Sequence, residues 1–142
     1  MGLEAPSLDV SRIVTLVGTS IAIFTFLLFF LYPRYSSGEI DPILFQVTVT
    51  TIGLAIFSLV YAALYYYSLT LPRSWSSIQT MALLRKGDRL WLLGYTILLL
   101  EPTLILFTLR LYHVALVWLG LWILYLYLTF HEYRAALRAK VR

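Results

Sequence analysis

Twenty consecutive residues near the start of the chain, Ile13 to Tyr32, carry no charge. A helix of this length is about 30 Å long, which matches the hydrocarbon core of one bilayer. Three further apolar segments follow, over residues 43–70, 90–109 and 114–130. Charged residues make up only 13% of the chain, about half the share typical of soluble domains. The sequence therefore predicts an all-α, polytopic membrane protein, a bundle of four transmembrane helices in a single domain over residues 1–142.

The connections between the spans are predicted from turn residues and from length. Pro33 is expected to end the first span, and Asp41 is expected to cap the second, with Pro42 in its first turn. Residues 90–130 as one helix would be about 60 Å long, twice the bilayer core, so the chain must turn within them. The polar cluster Arg110–His113 is the preferred position. A break at Pro102, which would make residues 90–100 a re-entrant half-helix, is the alternative.

A polar stretch between spans 2 and 3 predicts a short amphipathic helix over residues 75–86. Ser74 can cap its start, Gly87 suits the position after its end, and Asp88 can cap span 3. We expect this helix to lie in the plane of the lipid headgroups, although a plain linker helix fits the same residues.

Positive charge is distributed unequally between the two sides of the predicted bundle. With four spans, nine of the 11 Lys and Arg residues fall on the side that holds both termini and the connection between spans 2 and 3. Such a bias predicts cytoplasmic N- and C-termini. A basic cytoplasmic helix is expected over residues 131–142. The predicted contacts with anionic headgroups are Arg73, Arg85, Lys86, Arg89, Arg134, Arg138 and Arg142.

Glu101 is the one ionisable residue that lies inside a span and away from its ends. An unpaired charge there costs at least about 2.5–3.5 kcal/mol, so the carboxyl is expected to be neutral, to face water or to pair with another subunit. Pro102 follows directly and leaves the carbonyl of Leu98 without its helical donor. Gly94, Glu101 and Thr108 recur every seven residues and share one helix face. These four residues, Glu101, Pro102, Gly94 and Thr108, form the candidate site for a proton or a cation, and a neutral acid that only fixes helix packing is the alternative.

A second face with small and polar residues is predicted on span 2. It consists of Gln46, Thr50 and Gly53, which are spaced to lie on one side of a helix. Because small and polar residues mark helix contacts in membranes, we expect this face to pack against another helix.

Several classes of function are disfavoured by what the chain lacks. It has no cysteine, no glycine-rich phosphate loop and no metal-ligand spacing. The two histidines, His113 and His131, lie at opposite ends of span 4, about 27 Å apart along a regular helix. We therefore expect no enzyme activity, cofactor or metal site. The charges lie at the ends of apolar segments, which favours membrane lipids over nucleic acid as partners.

Two functions remain as hypotheses. The first is an oligomeric ion or proton channel or carrier that uses Glu101. The second is a non-catalytic accessory or assembly subunit of a larger membrane complex. Four spans enclose little space by themselves, so a homo-oligomer or other membrane subunits are expected in either case.

Overall fold

The computed structural model describes residues 4–71 and 76–139, with side chains over residues 11–71 and 76–131. These residues form four helices: α1 (Glu4–Ser36), α2 (Pro42–Thr70), α3 (Ser77–Thr108) and α4 (Tyr112–Ala139). All four contain a segment long and apolar enough to cross a membrane. The prediction of an all-helical, multi-pass membrane protein with four such helices is confirmed. The alternative break at Pro102 is not observed, because this proline lies inside the continuous α3.

The corner between α1 and α2 combines a glycine with a helix cap. Helix α1 continues one turn beyond Pro33 to Ser36, so the prediction that this proline ends the helix is wrong. A proline inside a helix removes only its own N–H bond, and near the C-terminus the following turn still forms. Gly38 then turns the chain with φ of 77°. The Asp41 carboxylate accepts bonds of 2.8 and 3.1 Å from two N–H groups in the first turn of α2, which is the predicted cap, and Pro42 begins the helix.

Helix α3 begins well before the predicted span 3. Ser76 and Gln79 form a reciprocal capping box, and the helix then runs without interruption through Gly87 and Asp88. Among the described residues, a separate short helix between spans 2 and 3 is therefore not observed, and its predicted cap, Ser74, lies outside them. Gly87, predicted to follow that helix, and Asp88, predicted to cap span 3, instead contact Tyr66 of α2. A Cβ on Gly87 would lie 3.2 Å from the tyrosine ring, and the Asp88 carboxylate accepts a hydrogen bond from the tyrosine hydroxyl.

The turn between α3 and α4 falls at residues 109–111, within one residue of the polar cluster predicted for it. Arg110 has φ of 61°, the left-handed conformation that glycine usually adopts after a helix. Its N–H donates to the Phe107 carbonyl at 2.9 Å, and the N–H of Leu111 donates to the Leu106 carbonyl at 2.9 Å. This pair of bonds is the Schellman motif, so the helix ends in the usual geometry without a glycine.

Helix α2 lies at the centre of the packing, between α1 and α3, and α4 packs against α3. One buried apolar cluster lies near the α1–α2 corner and includes Leu27 and Ile52. A second lies toward the opposite end of α2 and includes Ile13 and Leu59. Large apolar side chains cover the outer faces of all four helices, as expected for surfaces that face lipid. The interface of α2 and α3 between the two clusters holds the candidate site.

Candidate functional site

The face of α3 predicted from seven-residue spacing is buried against α2. Gly94, Glu101 and Thr108 are all buried, since seven residues are close to two helical turns. Gly94 lets the two helices approach closely: a Cβ there would lie 2.8 Å from Leu59 Cγ. Thr108 lies two turns beyond Glu101, and its hydroxyl is 3.1 Å from the hydroxyl of Thr48. The buried acid therefore has a tight steric contact on one side and a hydroxyl–hydroxyl contact on the other.

The Glu101 carboxyl is enclosed, with only 1% of the residue exposed. Neither of its oxygens has a hydrogen-bond partner among the residues that the structure describes. The side chain of Thr51 on α2 faces it. That hydroxyl lies 2.9 Å from the Val47 carbonyl and 3.0 Å from the Thr48 carbonyl, so its proton is directed to its own helix. Its oxygen keeps a lone pair that a protonated carboxyl can donate to.

Glu101 lies in the apolar part of α3, a segment long and apolar enough to cross the hydrocarbon core. The helical stretch between Arg89 and Leu109 is about 30 Å long, one core thickness. Glu101 lies about 12 Å along the axis from the Leu109 end and about 18 Å from Arg89. Water is scarce at this depth, so a charge on the carboxyl would need a cation or a water-filled opening close by.

Pro102 lies beside the acid within the helix and is half-buried. It has no N–H, so the Leu98 carbonyl lacks the donor that would follow four residues later. The helix continues past this point through Thr103, whose buried hydroxyl also has no partner among the described residues. The side chains on either side of the proline therefore lack hydrogen-bond partners among the described residues. We infer that, within the described interior, this segment of α3 has the fewest of its polar groups hydrogen-bonded.

The second predicted contact face, on α2, does not pack against another helix within the part of the chain that the structure describes. Gln46 and Thr50 are exposed and Gly53 is partly exposed, with no atom near the position of an added Cβ. The face of α2 that meets α3 instead includes Thr48 and Ala55. The prediction missed this face because a threonine that bonds its own helix gains little from either environment. Thr48, which is buried, donates to the Leu44 carbonyl at 2.8 Å.

The predicted headgroup contacts can be located only in part. Arg85, Lys86 and Arg89 are exposed on the first half of α3. Arg73 and Arg142 lie outside the described residues, as do the side chains of Arg134 and Arg138. His113 and His131 are exposed at opposite ends of the membrane segment of α4, and the structure does not bring them together.

The fold and the buried acid define an α-helical, multi-pass membrane protein with an ionisable group between two of its spans. Among the residues whose side chains are described, no three His, Asp or Glu residues are grouped as a metal site would require. Comparisons of the chain with protein-family models, with curated proteins and with solved structures find no match. The function is therefore argued from the residues of this chain alone.

Proposed function

We propose that the protein is an oligomeric membrane carrier or channel in which Glu101 takes up and releases a proton or a small cation. One observation carries this proposal: a carboxyl that is 1% exposed, in the hydrocarbon region, with neither oxygen hydrogen-bonded in the described part of the chain. A polar group with no partner costs stability, and a carboxyl that served packing alone would be expected to have one. Intramembrane acids of this kind are typical of ion pathways.

The surroundings of the acid suit proton exchange better than a permanent charge. The Glu101 carboxyl faces the Thr51 side chain, and no Lys or Arg of the described residues is hydrogen-bonded to either of its oxygens. In the enclosed arrangement the neutral acid is favoured, because an isolated charge at this depth is costly. Opening of the α2–α3 interface to water would let the group ionise and release its proton.

The proposal includes an orientation. Both termini lie on the cytoplasmic side, following the excess of Lys and Arg there. The first turns of α3, which carry Arg85, Lys86 and Arg89, extend into the headgroup region. They take the place of the separate interfacial helix predicted from the sequence. Homo-oligomer formation completes the proposal, since the described helices of one chain enclose no open path at Glu101.

The test compares proton flux into liposomes for the wild-type protein and Glu101→Gln. Glutamine keeps the size and polarity of the side chain but cannot release a proton, so flux should fall to the level of empty liposomes. Glu39→Gln is the matched control, because Glu39 is an exposed acid outside the membrane segments. Its flux should equal that of the wild type. Equal thermal stability of the two variants shows that both are folded, and unchanged flux in Glu101→Gln would refute the proposal.

A second candidate function is supported by the packing of α4. This helix packs against α3, and most of the side chains in its membrane segment are exposed, among them Trp118 at 43%. An accessory or assembly subunit would present such a face to another membrane protein. In that case the purified protein conducts no ions. Glu101→Gln then weakens the association with a partner protein and has no flux to reduce.

A further inference from the structure

A second polar feature lies at the opposite end of the α2–α3 interface from the α3–α4 turn. It is an open cavity of about 650 Å³ lined by residues of the first half of α1, the end of α2 and the first half of α3. The cavity is lined by Arg12, Ile13, Thr15, Leu16, Tyr66, Asp88, Trp91 and Tyr95. Its volume is within the range of small-molecule sites in proteins, about 300–1,000 Å³.

The lining places opposite charges and aromatic rings around one space. Arg12 contributes a guanidinium from α1, and Asp88 contributes a carboxylate from α3. The Tyr66 hydroxyl donates to Asp88 and so orients the carboxylate. Trp91 and Tyr95 stack with ring centroids 5.3 Å apart and planes within 4° of parallel, and together they form an aromatic wall on one side of the cavity. Packed aromatic rings and an oriented acid are features of a preformed site.

The cavity lies at the level of the membrane boundary. Arg12 immediately precedes the uncharged run of α1, and Asp88 precedes the apolar part of α3. Tryptophan and tyrosine are enriched at this level in membrane proteins. Ile13 and Leu16 extend the lining toward the hydrocarbon region. A ligand that matches this cavity is polar at one end and apolar at the other, which describes a phospholipid.

We propose that this cavity binds a phospholipid with a phosphoethanolamine headgroup. The phosphate contacts the Arg12 guanidinium, which offers paired donors to phosphate oxygens. The primary ammonium donates to the Asp88 carboxylate beside the aromatic wall. The glycerol end and the first acyl carbons lie along Ile13 and Leu16.

The charges distinguish this headgroup from the glycerol and choline headgroups. An anionic headgroup without an amine places its phosphate beside Asp88 with nothing to compensate that carboxylate. A quaternary ammonium can lie against the aromatic wall but has no N–H to donate to Asp88. Phosphoethanolamine satisfies both charged side chains at once. The proposal does not depend on Glu101, which lies 13 residues, or about 20 Å, further along α3.

The test measures lipid binding to the detergent-solubilised full chain by native mass spectrometry. The probes are phosphatidylethanolamine, phosphatidylcholine and phosphatidylglycerol with identical acyl chains, and glycerophosphoethanolamine as the soluble headgroup. The wild type should bind the ethanolamine lipid about tenfold more tightly than the other two lipids, as one charge-assisted hydrogen bond predicts. The soluble headgroup should bind more weakly than the lipid, since it lacks the acyl contacts. Equal binding of the soluble headgroup and the lipid would overturn the assignment to a lipid.

Two variants and one control test the roles of the Arg12 and Asp88 side chains in binding. Asp88→Asn should abolish the preference for ethanolamine, while its amide oxygen still accepts the Tyr66 hydroxyl. Arg12→Gln should weaken all three lipids by a similar factor. Arg34→Gln is the control: it removes an exposed cation at the far end of α1 that does not line the cavity, and should change nothing.

Two further results contradict the proposal. One is equal binding of the three lipids to the wild type, which needs no variant and holds even if Asp88→Asn fails to fold. The other is a loss in Arg34→Gln as large as that in Arg12→Gln, which would indicate general attraction of charge to the surface.

Discussion

Gly94→Ala is expected to destabilise the packing of α2 against α3. The added Cβ would lie 2.8 Å from Leu59 Cγ, 3.1 Å from Leu59 Cδ2 and 3.1 Å from the Ala55 carbonyl oxygen. Leu59 is fully buried, and the carbonyl belongs to the helix backbone, so neither can move aside without displacing α2. Overpacking of this kind costs about 1–3 kcal/mol. Alanine recovers up to about 1 kcal/mol of helix propensity, which leaves a net loss of up to about 2 kcal/mol.

The assay is equilibrium unfolding in mixed detergent micelles, with the loss of helix monitored by circular dichroism. Gly18→Ala and Gly120→Ala are the controls, because both glycines are exposed on helices and no atom lies within 4 Å of an added Cβ. These two variants should be unchanged or stabilised by up to about 1 kcal/mol. If Gly94→Ala unfolds at the same detergent ratio as the controls, the close approach of α2 and α3 at Gly94 is refuted.

Two hydrogen bonds give further predictions. A double-mutant cycle of unfolding with Thr48→Val and Thr108→Val should give a coupling free energy of about 0.6 kcal/mol, because the two hydroxyls lie 3.1 Å apart. Strictly additive effects of the two substitutions would contradict the hydrogen bond. Trp122→Phe should lower the free energy of unfolding by about 1 kcal/mol, because the indole N–H donates to the Thr96 carbonyl at 2.9 Å and joins α4 to α3. Trp118→Phe, an exposed position on the same helix, is the control and should have little effect.

The number of helices and one face of α3 could be predicted because the underlying signals are physical and local. Apolar length decides whether a segment can cross a bilayer, and it identified four helices. The seven-residue spacing of Gly94, Glu101 and Thr108 placed them on one face, and the structure buries all three. An acid inside a span must be sheltered from lipid, so its burial against a neighbouring helix follows from energetics.

The partner face on α2 could not be predicted, because polarity says little about burial in a membrane protein. Thr51 faces the acid, whereas Gln46 and Thr50 are exposed. In lipid, burial of an apolar side chain gains little, and a threonine bonded to its own helix tolerates either side. The uninterrupted start of α3 was missed for another reason: Gly87 and Asp88 carry the residue types of a helix boundary but serve contacts with Tyr66.

The proposed exchange at Glu101 requires movement at the contacts that enclose it. Toward one boundary, Gly94 packs against Leu59, about 10 Å along the axis. Toward the other, Thr48 and Thr108 share a hydrogen bond at a similar distance. The hydroxyl contact is the weaker barrier, since both threonines also bond their own helices and lose little when they separate. Water from the side of the α3–α4 turn therefore has the shorter and easier path, about 12 Å from Leu109. Transport in either direction requires the Gly94 contact to open as well, so the rigid packing predicted there would limit the rate of exchange with the opposite side.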